Sequence, residues 1–267
     1  MNFSIHQASR IGSRKHNQDR AAYAYSSDAL LLVLADGMGG HLHGELAASL
    51  AVEAFTGLFA RYAQSRIAEP GKFISEAMRL ANERIMEFPH SKAPGRFPGS
   101  TCVAALIQDG GIYWGHAGDS RLYVLRGGMV LTRTRDHSMV NQWVEWGAIT
   151  AEEARVHPQR NQLINCLGGS SGMFYMEPGG PVALQSGDVL LLGSDGLWGP
   201  FTDREIAEAF ASEPISVMLD SLIARALERE NGHSDNTTGV AVRWSDGETA
   251  HDTDEPVCRA LEISQHA

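Results

Sequence analysis

The sequence predicts one domain of the α+β class, in which antiparallel strands and amphipathic helices occupy separate stretches of chain. Three observations carry that reading. A continuous apolar run, Ala29–Leu34, has the length and flanks of a buried central strand. Apolar residues recur at helical spacing twice, first as Leu46, Leu50, Phe55, Leu58 and Phe59, then as Phe73, Ala77, Leu80, Ala81 and Ile85. Thr101–Ile107, Gly111–His116 and Arg121–Leu125 are short apolar or alternating segments divided by Asp109-Gly110 and Gly118-Asp119, as hairpin strands are.

In chain order, Asn2–Ala8 is short and mixed, and the turn-rich GSRKHNQD follows it. The Ala29–Leu34 strand delivers Asp36 at its C-terminal end, where the small residues of DGMGGHLHG require tight backbone turns. Helices are predicted from Glu45 to about Tyr62 and from Lys72 to Phe88, packed together on a sheet. After a Pro/Gly-rich loop and the hairpin strands, His137–Trp146 reads as a helix, and Thr150 with Glu153 forms a capping-box pattern. The stretch 143–171 interrupts two strand-rich regions and reads as an insertion. Val189–Gly193 resumes the strands, helices follow near Asp203–Ala211 and Pro214–Glu230, and Thr237–Trp244 is a closing strand. Residues 246–267, with Asp246, Glu248, Asp252, Asp254 and Glu255, read as a disordered or loosely attached acidic tail, leaving 1–245 as the domain.

Composition narrows the function classes. The 267 residues carry 22 Lys and Arg against 32 Asp and Glu, a formal net charge of −10. That balance argues against nucleic acid or an anionic membrane as the main partner. No apolar run approaches the roughly 20 residues that span a bilayer, and MNFSIHQASR has no secretory pattern, so the cytoplasm is expected. The three cysteines, Cys102, Cys166 and Cys258, form no CxxC pair. Nor does an Arg stand six residues after any of them, where a cysteine-nucleophile phosphatase needs one; those positions hold Gln108, Gly172 and Ser264.

The chemistry-bearing pattern is a set of five aspartates at strand ends or in tight loops: Asp19, Asp36, Asp119, Asp195 and Asp235. Any one of them, taken alone, fits an ordinary Asp-Gly or Asp-Asn turn. Several carboxylates converging at one sheet edge would repel one another unless a cation neutralised them, and oxygen ligands in that number suit Mg²⁺ or Mn²⁺.

The joint pattern resembles a known family. Arg14-Lys15-His16-Asn17-Gln18-Asp19, Ala35-Asp36-Gly37-Met38-Gly39-Gly40-His41, Gly99-Ser100-Thr101, Gly118-Asp119-Ser120-Arg121, Asp136-His137, Ser194-Asp195-Gly196-Leu197-Trp198 and Ser234-Asp235-Asn236-Thr237-Thr238 occur in order. They are similar to the motifs of the metal-dependent serine/threonine phosphatases of the type 2C (PPM) family, in their bacterial form. The resemblance spans roughly residues 8 to 244. It implies a four-layer α-β-β-α sandwich, with two antiparallel sheets, helices on both outer faces, and the insertion as a flap beside the active site.

The resemblance also implies roles. Asp36 would bridge two Mn²⁺ or Mg²⁺ ions, with the Gly37 carbonyl on the second, while Asp195 and Asp235 complete the first ion's shell. Asp19 would act through metal-bound water, and Asp119 with Asp195 would hold a weaker third ion. Water activated by the metals would attack the phosphorus. Arg14 would grip the phosphate and His41 would protonate the leaving oxygen. Phosphorylated proteins, the substrates of a bacterial Ser/Thr kinase, are the implied partners of a monomer. A phospho-dependent scaffold and a hydrolase of small phosphate esters are the alternatives. Ser120, Ser194 and Ser234 are not needed as nucleophiles, and Trp143, Trp146, Trp198 and Trp244 read as packing groups.

Overall fold

The computed structural model describes residues 1–38, 42–62, 66–87, 98–169, 174–211, 214–245 and 257–260. The chain begins with strands β1 (Asn2–Arg10), β2 (Asp19–Tyr25) and β3 (Ala29–Met38), then helices α1 (Leu42–Tyr62) and α2 (Pro70–Glu87). Strands β4 (Gly99–Ser100), β5 (Cys102–Gln108), β6 (Gly111–Ala117), β7 (Arg121–Arg126) and β8 (Met129–Arg133) precede helices α3 (Met139–Glu145) and α4 (Ala151–Val156). Next come β9 (Leu167–Gly168), β10 (Glu177–Ala183), β11 (Val189–Gly193), α5 (Asp195–Trp198), α6 (Asp203–Ala209), α7 (Ile215–Arg229), β12 (Thr237–Ser245) and β13 (Val257–Ala260).

Two antiparallel sheets result. One runs β1-β12-β11-β7-β8; the other runs β10-β6-β5-β3-β2-β13, with β4 paired to β3 and β9 paired to β4. Alternation along β3 shows how they stack. Leu31, Val33 and Ala35 pack with Ala47, Phe55 and Met78 of α1 and α2, whereas Leu30, Leu32 and Leu34 pack with Leu122, Leu190 and Val240 of the facing sheet. On the far side Leu191, Tyr123 and Ala241 meet Ile206 and Leu219 of α6 and α7. Successive side chains of a strand point to opposite faces, so the unbroken apolar run of β3 serves two cores at once. The expected four-layer sandwich is the observed architecture.

Several elements differ from the sequence reading. α3 begins at Met139, not His137, because the Ser138 side chain caps the helix by accepting from the Asn141 N–H. The Thr150–Glu153 capping box forms as expected, and Thr202–Glu205 forms another. Trp146, expected to pack, is 69% exposed. The tail is not loose throughout: Val257–Ala260 extends the larger sheet by pairing with Ala22–Tyr25 of β2. The remainder of 246–267 lies outside the described residues. Among the described residues no helix is long and apolar enough to cross a membrane.

Candidate metal and phosphate site

Asp19 opens β2 and is the direct partner of Asp36 on β3, so both carboxylates leave the same face of the sheet. Asp119 occupies the turn between β6 and β7, after Gly118 at φ +105°. Asp195 is the first residue of α5, immediately beyond β11, and Asp235 lies just ahead of β12. Asp36 experiences the charges of Asp19, Asp195, Asp119 and Asp235. Both sheets therefore contribute to one acidic centre, and the structure brings together all five predicted aspartates.

Neighbouring polar groups fix these side chains. Ser194 Oγ donates to Asp19 Oδ2 at 2.8 Å and accepts from the Thr238 N–H at 3.0 Å. The Asp36 N–H donates to Thr101 Oγ1 at 2.9 Å, and the Thr101 N–H returns a 2.8 Å bond to the Asp36 carbonyl. Asn236 joins the loops carrying Asp19 and Asp235. Its Oδ1 accepts from the Gln18 N–H at 2.8 Å, and its Nδ2 donates to the carbonyls of Ile11 and His16 at 2.8 and 3.1 Å. At Gly37 a Cβ would stand 2.0 Å from the Gly44 carbonyl oxygen, so only glycine lets α1 start this close to β3.

Burial and mutual repulsion dominate the electrostatics of the centre. Burial, with the nearby Asp235 charge adding to it, pushes the Asp19 carboxyl up to about 6. Burial and the neighbouring Asp136 push Asp119 up to about 7. Asp36 and Asp195 are raised well above the ordinary carboxylate range, first by burial and then by the surrounding aspartates. Oδ1 of Asp19 and Oδ1 of Asp195 are buried without a hydrogen-bond partner. Unpartnered carboxylate oxygens are costly to bury. An oxygen-seeking divalent cation would satisfy them, and the donor set fits one.

Arg14 sits at the rim with its side chain 58% exposed, 2.5 Å from Asp235 Oδ2. The Asp235 bond, with the Asp195 and Asp36 charges, raises its pKa further. A cleft of about 800 Å³ extends from Arg14, Asp119 and Asp195 to Val140, Val144 and Arg155 of α3 and α4.

His116, His137 and Glu177 form a second cluster of potential ligands. His137 Nδ1 accepts from the Gly118 N–H at 3.2 Å, which leaves its proton on Nε2, facing Glu177 Oε2 at 3.3 Å. That tautomer offers no free lone pair to a cation. Burial lowers both imidazoles, His137 to about 4 with His116 contributing. The two imidazoles are thus neutral and stacked on one another behind the Asp119 turn, with His116 Nε2 on the Arg135 carbonyl and His137 on the ionised Glu177.

Comparison with known proteins agrees with this geometry. The family model for protein phosphatase 2C matches residues 6–230. The chain belongs to that family. The phosphatase is 31% identical over 236 residues to protein phosphatase PhpP of Streptococcus pneumoniae, covering 87% of this chain and 94% of the relative. The solved serine/threonine phosphatase of Mycobacterium tuberculosis, PstP/Ppp, superimposes with a TM-score of 0.79 at 32% identity, covering 91% of this chain and 99% of that one. A PstP catalytic domain in complex with two manganese ions superimposes at 0.75 and 30% identity, covering 91% and 99%.

Of the phosphatase's predicted site residues, Arg14, Asp19, Asp36, Gly37, Asp119, Asp195 and Asp235 surround one centre, and His41 lies outside the described residues. Sequence reasoning gave no role to Ser194, Thr101 or Asn236, which hold the aspartates. Part of their signal was present, since each lies inside one of the motifs, but Ser194 and Thr101 support carboxylates distant in sequence.

Proposed function

We propose that this phosphatase hydrolyses phosphoserine and phosphothreonine in proteins with Mn²⁺ or Mg²⁺ held by its aspartates. The observation that carries the reading is the convergence of buried carboxylates with unpartnered oxygens on Asp19 and Asp195. Asp36, the Gly37 carbonyl, Asp195 and Asp235 would hold a pair of core ions, with Asp19 acting through their water and Asp119 with Asp195 holding a weaker third. When bound, the ions supply a more acidic water as nucleophile and offset charge on the phosphoryl oxygens.

The chain's own residues do the rest. Arg14, exposed at the rim, releases Asp235 and grips phosphoryl oxygens entering the cleft. His41 protonates the departing seryl or threonyl oxygen. The segment carrying α3 and α4 acts as a flap along one wall of the cleft. The natural substrates are products of a bacterial Ser/Thr kinase, and the enzyme works as a cytoplasmic monomer.

The test strips the protein with chelator and follows phosphate release from a phosphothreonine peptide with and without Mn²⁺, with Asp195→Ala alongside. Recovery in the parent and none in the variant supports the reading. A folded parent that binds Mn²⁺ yet releases no phosphate would leave a phospho-dependent binding protein. Faster turnover of a sugar phosphate than of the peptide would indicate a small-ester hydrolase.

A further inference from the structure

Trp198 ends the same short helical turn that Asp195 begins. Its indole Nε1 donates to the main-chain carbonyl of Asp119 at 3.1 Å. The Arg121 guanidinium sits over the indole, with its central carbon 3.4 Å from the ring centroid. Arg121 in turn grips Asp136 through two 2.7 Å bonds and donates to the Tyr123 hydroxyl at 2.7 Å. Arg121 and Asp136 are each only 11% exposed in their side chains, so the guanidinium that orients the indole is itself fixed.

This closes a small circuit. Asp119 leads within two residues to Arg121, Arg121 sits over Trp198, and Trp198 bonds back to Asp119. Trp198 and Asp195 belong to one turn, tied by the Trp198 N–H to the Ser194 carbonyl at 3.2 Å and the Gly199 N–H to the Asp195 carbonyl at 2.8 Å. On its other side, the Asp119 turn is held by His137, whose N–H donates to the Gly118 carbonyl at 3.0 Å. Asp119 and Asp195 are like charges that repel, and a turn carrying one of them would relax outward if untied. An indole N–H at a half-buried position needs an acceptor, and here that acceptor is the main chain of a carboxylate residue.

We propose that Trp198 is a positioning residue that sets the separation of the Asp119 and Asp195 carboxylates, and with it the affinity for a divalent cation held between them. The inference rests on the metal-site reading above. It assigns to Trp198 more than packing, because the bonded atom is main chain of one carboxylate residue and the bonding ring shares a turn with the other.

The experiment is a calorimetric Mn²⁺ titration of the chelator-stripped, full-length protein. Trp198→Phe removes the donor and keeps a ring beneath Arg121; 3-benzothienylalanine at 198 removes it with almost no change in shape. Asp119→Ala is the reference for loss of the weaker site. The expected result is a weakest-site affinity reduced about three- to tenfold, the size of one lost hydrogen bond. Tight sites stay at parental values, and the metal-free protein melts lower by no more than about 4 °C, the effect of one lost hydrogen bond. Isotherms superimposable on the parent, or all sites weakening together, overturn the inference, and the benzothienyl variant decides if Trp198→Phe folds poorly. A parent with tight sites and no weaker one overturns the inference alone, whereas a parent that binds no Mn²⁺ overturns the metal-site reading and this with it.

Discussion

Ser194 and Asp19 are joined by a 2.8 Å hydrogen bond that crosses from one sheet to the other, from the end of β11 to the start of β2. The same hydroxyl accepts from the Thr238 N–H, so a single oxygen ties β12 to the acidic centre as well. Ser194→Ala leaves a buried carboxylate oxygen and a buried N–H without partners, a cost of about 1–3 kcal/mol. Thermal unfolding of the variant should begin about 3–10 °C lower in a chain of this size. Activity should fall only several-fold, since a positioned carboxylate is disturbed and no nucleophile is lost. A drop of about 10³-fold or more with an unchanged melting temperature would argue for serine-nucleophile chemistry instead.

Asp19 and Asp36 face each other across neighbouring strands, both buried and both raised in pKa. Asp36→Asn removes one charge from that pair. The metal-free variant should melt higher than the metal-free parent, by ~2–4 °C for about 1 kcal/mol of relieved repulsion. Its Mn²⁺-dependent phosphate release should disappear. The opposing directions are the diagnostic, and scanning calorimetry beside a peptide assay reads both. A variant that lost activity and melted lower would place Asp36 among purely structural residues.

The acidic centre was legible in the sequence because its members sit in turns, where Asp beside Gly or Asn stands out against apolar strands. The strands bearing bulk were legible for the same reason: β3 and β11 are runs of leucine and valine. β2 was not, because DRAAYAY takes its packing volume from the leucines of β3 opposite its own alanines. β10, with Pro178, Gly179, Gly180 and Pro181, reads as a loop and survives as a strand only at the edge of the sheet, with a bulge. The His137 cluster could not be foreseen, since it depends on Glu177 of β10 pairing with His116 of β6, a register no local pattern encodes. Trp198 was read as packing because its donor partner is a backbone carbonyl 79 residues away.

The raised carboxyls make stability depend on pH in a defined direction. Asp19 near 6 and Asp119 near 7 lie above their ordinary value of 3.8, so the folded metal-free chain binds more protons than the unfolded one. Their contribution is therefore greatest at low pH and is lost as pH rises from about 4 through 6 to 7. Mn²⁺ competes with those protons for the same oxygens. The rise in melting temperature on adding a fixed Mn²⁺ concentration should thus be small at pH 5.5 and grow toward pH 7.5. A metal-induced shift independent of pH across that window would mean that the cation binds elsewhere.

Arg14 and Asp235 make a contact at the rim of the cleft that a phosphoryl group bound by Arg14 would have to rearrange. The pair is 2.5 Å apart, with the Arg14 side chain 58% and the Asp235 side chain 32% exposed. At such an exposed position the pair adds little to stability, and the proposed role of Arg14 is with an incoming anion. Arg14→Ala should leave the melting temperature within about 2 °C of the parent and lower kcat/KM on a phosphothreonine peptide by about 10²-fold. Arg14→Lys should recover only part of that loss, because an ammonium carries the charge without the planar fork that fits two phosphoryl oxygens. Inhibition by inorganic phosphate provides the second readout. If Arg14 binds the phosphoryl group, Arg14→Ala raises the inhibition constant along with the loss in kcat/KM, while the Mn²⁺ concentration for half-activation changes little. Were the Mn²⁺ requirement to shift and phosphate inhibition to stay at the parental value, Arg14 would be acting on Asp235 and through it on the metal, and phosphate recognition would belong to other residues lining the cleft.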